Sequence, residues 1–175
     1  IKPIIMKKLL FILLLIITSA SFSQKIVKHK IDEFTNQVIK DTSWEKLAWN
    51  GNMNALVRGR RVDLNYYLEF KMILDNKVYS VDEGEVLLLK LSDGDILKLN
   101  NLKFEVSSVG GGSVGISGSN LLGINFTCSI SESEITKLKN KDLVKLRIYT
   151  SEGYKEESVK QKRVLKFKKL ISLLE

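Results

Sequence analysis

The strongest constraint on this fold is a run in which Val62, Leu64, Tyr66, Leu68, Phe70, Met72 and Leu74 all occupy even positions, with Asp63, Asn65, Glu69 and Lys71 between them. A period of two places one set on one side of an extended chain, so the run predicts a β-strand with one buried face. At about 3.3 Å per residue it is long for a flat strand, and it must bend or be shared between two layers. Asp75-Asn76-Lys77 interrupts the pattern and Val78–Val81 resumes it, which predicts a hairpin.

Further along, Val86–Leu91 and Ile96–Leu99 flank Ser92-Asp93-Gly94-Asp95. Asp-Gly between two apolar runs is a strong hairpin signal, because primed turns need positive φ at their centre. Leu102, Phe104 and Val106 alternate with polar residues in another expected strand, which runs into a Gly/Ser-rich connection at 109–123. Beyond it, Ile124, Phe126, Cys128 and Ile130 alternate, as do Val144, Leu146 and Ile148 ahead of the turn Ser151-Glu152-Gly153. Near the start, Lys25–Ile31 and Val38–Lys40 read as paired short strands around Asp32–Gln37, while Trp44, Leu47 and Trp49 are apolar anchors without a decisive period.

Two segments change the period. Ser131-x-x-Glu134 has the form of a capping box, so a short helix is expected near 131–139 with Ile135 and Leu138 on the core. Val164, Phe167, Ile171 and Leu174 fall at helical spacing among lysines, which predicts a C-terminal amphipathic helix at about 158–174. The expected class is therefore mainly β: an antiparallel β-sandwich or barrel-like domain carrying these two helices. Residues 24–175 have a length that suits one domain.

Met6-Lys7-Lys8, the apolar run Leu9–Ile17 and the small polar stretch Thr18–Ser23 have the layout of a secretory signal peptide cleaved before Gln24. The run is shorter than the roughly 18 to 20 apolar residues that span a bilayer, so a retained anchor is the weaker reading and no transmembrane segment is expected after cleavage. The protein is expected to be exported, either periplasmic or secreted. Ile1–Ile5 precede the first plausible start and are left out of the fold reading. Gln24, not a cysteine, follows the cleavage point, so lipid anchoring of the bacterial lipoprotein kind is not expected. Cys128 is the one cysteine and rules out an intrachain disulfide; its shared parity with Phe126 and Ile130 makes it a small buried apolar residue.

The chemical motifs are weak. Gly110-x-Gly112-x-x-Gly115 has the spacing of a dinucleotide fingerprint, but a fingerprint needs a helix after the glycines and here a strand follows. The stretch reads instead as a flexible hairpin connection. His29 is the one histidine, flanked by lysines and far from any evident nucleophile, and one His with one Cys cannot supply a zinc ligand set. Asp82, Glu83, Glu85, Asp93 and Asp95 could hold calcium through oxygen ligands, although acidic residues are ordinary in turns. No cofactor and no metal is implied.

Charge is more informative. The net charge is +8, and removal of Lys2, Lys7 and Lys8 with the signal segment leaves +5. Much of the excess lies in the C-terminal helix, where Lys160, Lys162, Arg163, Lys166 and Lys169 are the candidate partner-binding residues. Such a face could meet an anionic surface, although a lysine-rich face is ordinarily just solvated. Nucleic acid is not expected, because no recognition motif accompanies the charge.

Met6-Lys7-Lys8, Ser21-Phe22-Ser23-Gln24, Asp32-Glu33-Phe34-Thr35 and Ser43-Trp44 together resemble small exported proteins of Bacteroidetes-type bacteria. The resemblance covers the signal and the first third of the mature chain, and it implies location alone, since such proteins carry no established activity to transfer. The expected function is a non-enzymatic exported β-domain, a binding or structural module of the cell envelope or extracellular space whose partner is a protein or envelope component. The alternative is a secreted hydrolase with a dispersed carboxylate or serine site.

Overall fold

The computed structural model describes residues 24–49, 53–116 and 119–175. The expected signal segment lies outside the described residues, as do Ser117 and Gly118 of the glycine-rich connection. In chain order the elements are β1 (Ile26–Ile31), β2 (Val38–Thr42), β3 (Glu45–Trp49), β4 (Met53–Val62), β5 (Asn65–Leu74), β6 (Ser80–Val81), β7 (Val86–Leu91), β8 (Ile96–Asn100), β9 (Glu105–Val106), β10 (Ser108–Val109), β11 (Leu122–Ile130), α1 (Glu132–Asn140), β12 (Leu143–Thr150), β13 (Gly153–Ser158) and α2 (Gln161–Ser172). The larger sheet has the order β1-β2-β4-β5-β11-β10, with β3 also paired to β4; the smaller one runs β13-β12-β7-β8, and β6 pairs with β9. Every pairing is antiparallel, so the protein is mainly β, with a helix at the chain's end as expected.

The even run of residues divides rather than bends. Asp63 takes φ 54° and Val62 pairs with Asn65, so a tight hairpin at Asp63–Leu64 separates β4 from β5 and leaves Leu64 80% exposed at the tip. Across the hairpin the buried parity switches. Met53, Ala55 and Val57 of β4 lie on the same face as Leu68, Phe70, Met72 and Leu74 of β5, and Phe126 of β11 stacks on Phe70 at 5.2 Å. Both sheets feed one continuous core, to which β7, β8 and β12 contribute Leu87, Leu89, Leu97, Leu99, Leu146 and Ile148.

Two strand expectations are corrected. β6 pairs with β9 and not with β5, because Asp75 and Asn76 both take φ 49° and Asn76 Oδ1 accepts the Leu122 N–H, turning the chain away from its own sheet. The alternating stretch Leu102, Phe104 and Val106 leaves all three side chains exposed, and only Glu105–Val106 is strand. Buried Asn101 explains this: its amide donates to the carbonyls of Val81, Asp82 and Lys103, so a side chain satisfies groups that a longer ladder would have used.

The helices form where their signals stand. Ser131 and Glu134 complete the capping box at the start of α1, and Ile135 and Leu138 are buried. In α2, Val164, Phe167, Leu170 and Ile171 are buried, and Leu174 beyond it rests against Gly59 of β4, where a Cβ would collide with the leucine's methyl groups. The apolar stripe of α2 is thus spent on the core and on contacts with β3 and α1. Among the described residues no helix is long and apolar enough to cross a membrane.

Candidate functional site

β1 accompanies β2 as far as Ile26 opposite Thr42, and the Ser43 N–H then donates to the Lys25 carbonyl at 2.8 Å. The chain kinks at Ser43–Trp44 and continues as β3 along the same side of β4, with a bulge between Lys46 and Ala48. One edge of β3 is therefore paired, and among the described residues the other carries no strand. Between β3, the start of α2 and the glycine-rich connection lies a groove of about 730 Å³. Trp44, Trp49, Leu56, Ile73 and Val114 line it together with five cations: Lys25, Lys46, Lys162, Arg163 and Lys166.

Among the described residues, none of these five cations forms an ion pair with a carboxylate. Glu45 is the one acidic group in the lining, and its Oε1 accepts from the Ser43 hydroxyl at 3.3 Å. Lys46 Nζ sits 4.3 Å from the Trp49 ring centroid, and Arg163 Nη2 donates to the Trp49 carbonyl at 3.2 Å. The groove therefore combines apolar walls with uncompensated positive charge, a pairing that favours an anionic occupant.

Trp44 is held from behind. Arg58 lies 4.8 Å and Lys71 5.1 Å from its ring centroid. Arg58 is itself paired to Glu69 at 2.6 Å, while Arg60 bridges Glu69 at 2.7 Å and Asp41 at 2.8 Å. Burial disfavours the Asp41 charge, but the Arg60 hydrogen bonds and the charges of Arg60, Arg58 and Lys28 outweigh it and hold the carboxyl below its usual range. Both buried carboxylates, Asp41 and Glu69, are thus engaged by guanidinium groups. Burial, and then the charge of Arg58, pulls the Lys71 ammonium below the usual lysine range. Its Nζ donates to the Ser113 carbonyl at 2.8 Å and so fastens the glycine-rich connection to β5.

That connection is a hairpin between β10 and β11, as expected, yet its glycines serve more than mobility. A Cβ on Gly112 would stand 2.6 Å from the Met72 carbonyl oxygen, and one on Gly111 would collide with the Gly123 carbonyl. Backbone thus packs directly on backbone over β5 and β11, and Gly112 forms part of the groove wall. No phosphate-binding helix follows the glycines; β11 does.

Of the expected partner-binding residues, the structure brings Lys162, Arg163 and Lys166 into the groove, whereas Lys160 and Lys169 are exposed outside it. Lys25, Lys46, Trp44 and Trp49 were missed as site residues. Both tryptophans stood out in the sequence, but nothing there brought them to residues 162–166. His29 is exposed on β1, and Cys128 is fully buried, its thiol pushed up to about 12 by burial. Asp93 and Asp95 pair with Lys141 and Lys137, and no cluster of three or more His, Cys, Asp or Glu suited to a metal occurs among the described residues.

Fold and groove together define a class: an antiparallel β-domain with an open, basic, tryptophan-lined groove beside a strand edge that is unpaired among the described residues. Comparisons with protein families, curated proteins and solved structures find no match to this chain.

Proposed function

We propose that this protein is an exported, non-enzymatic binding module of the cell envelope or extracellular space, and that its groove receives an anionic partner. The observation that carries the reading is the gathering of Lys25, Lys46, Lys162, Arg163 and Lys166 around one cavity, with no carboxylate paired to any of them among the described residues. Export rests on the signal-like N-terminus. Because the apolar stripe of α2 is buried, contact with an anionic surface would be made through charge and not by insertion.

The test is binding to a soluble polyanion at low ionic strength, compared with about 0.15 M salt, where screening shortens the reach of the charges to about 8 Å. Wild-type protein is expected to bind in a salt-sensitive way, and the double variant Lys162→Glu with Lys166→Glu to lose binding while its circular dichroism is unchanged. A control variant, Lys90→Glu with Lys98→Glu on exposed positions of the smaller sheet, should retain it. Equal binding by both variants would show that the groove is not the site.

A further inference from the structure

We infer that the anionic partner is an extended acidic peptide segment that adds as a strand to the free edge of β3; this rests on the anionic-partner reading above. β1 begins at Ile26, and the sheet continues past that end through β3, whose second edge pairs with no strand among the described residues. This lane follows on from β1 along the same side of the sheet, and Glu45, Lys46 and Trp49 of β3 line the groove together with Lys25 and Ser43. β3 has five residues, so the lane is about 17 Å long.

An open strand edge offers main-chain N–H and C=O groups, which recognise another backbone whatever its sequence. Selectivity then comes from the side chains on the banks. Lys25 and Lys46 stand on the sheet side and Lys162, Arg163 and Lys166 on the α2 side, all without carboxylate partners among the described residues. Acidic side chains alternating along an added strand would meet one bank or the other.

Calorimetric titration of the purified protein with four probes tests the inference. The first is a peptide of about ten residues alternating Glu and Val. Two more are the same peptide N-methylated on one or the other alternate set of amides, and the last is dextran sulfate, a polyanion without a peptide backbone. Strand addition predicts that the unmodified peptide binds and slows hydrogen exchange in Glu45–Trp49. It also predicts that one methylation set weakens binding by at least about tenfold while the other does not, since only one set faces β3. Equal affinity for both methylated peptides overturns strand addition and leaves the anionic groove standing, as does binding of dextran sulfate without peptide binding. If neither peptide nor dextran sulfate binds at low salt, both readings fall.

Discussion

The two helices answer the same electrostatic problem in opposite ways. At the start of α1 the Ser131 and Glu134 side chains occupy the free N–H groups, Glu132 and Glu134 sit at the positive end of the helix dipole, and Lys137 and Lys139 sit at the negative end. α2 begins at Lys160 with no side-chain cap and no acid in its first turn, where Lys162 and Arg163 stand instead. Around α1 the lysines are also neutralised, Lys137 and Lys141 by the Asp93–Asp95 turn and Lys139 by Glu175. Near the start of α2, Lys162, Arg163 and Lys166 have no such partners among the described residues. Packing alone does not require that arrangement. A local rule broken at the wall of a cavity is the pattern expected where a site is kept ready for something outside the chain.

The largest effect should come from what the helices share, which is packing. Phe167→Ala is expected to cost about 3–5 kcal/mol in denaturant unfolding, since Phe167 is 1% exposed beneath α2. A loss below about 1 kcal/mol would mean that α2 is not seated as described. Gly112→Ala strains the opposite groove wall and should cost about 1–3 kcal/mol, with altered anion binding. If stability does not change, the contact with β5 is looser than the structure shows. Ser131→Ala removes the α1 cap at about 1 kcal/mol.

Lys162→Glu is the sharpest break in the comparison, because its sign is opposite. It should stabilise α2 by about 0.3–1 kcal/mol by placing an acid at the positive helix end, while binding of anions falls. Destabilisation, or unchanged binding, would remove the functional explanation for the first turn of α2. Smallest is the response to acid. Lys141 holds the Asp93 carboxyl below its usual range, and Lys168 and Gln161 do the same for Asp142. A carboxyl lowered by folding contributes stability above its unfolded value near 3.8 and loses it as pH falls through the lower folded value. Stability measured by denaturant unfolding should therefore fall as the pH drops below about 3.8.

Where an element announces itself through periodicity and local chemistry, the sequence was sufficient. Val164, Phe167 and Ile171 located α2, the Ser131–Glu134 box located α1, and the alternation from Ile124 to Ile130 located β11. The hairpin at Asp63–Leu64 was hidden, because Val62 and Leu64 prolong the even alternation of β5 back through a turn that lacks the usual Asn-Gly or Asp-Gly. Leu102, Phe104 and Val106 misled for the reverse reason: their pattern is right for a strand, but Asn101 had already claimed the nearby carbonyls. Of the five groove cations, Lys162, Arg163 and Lys166 were legible in the basic run 160–169. Lys25 and Lys46, with Trp44 and Trp49, were not, since they join the groove only through the antiparallel pairing of β1, β2, β3 and β4.

The edge of β3, unpaired among the described residues, also bears on solubility. Two copies approaching edge to edge would bring Lys25 and Lys46 of one against those of the other, and the cluster at the start of α2 would add to the repulsion. Charge that welcomes an acidic strand thereby refuses a second copy of the same chain, and the refusal weakens as salt screens it. Colloidal behaviour and recognition are then two outcomes of a single distribution of lysines.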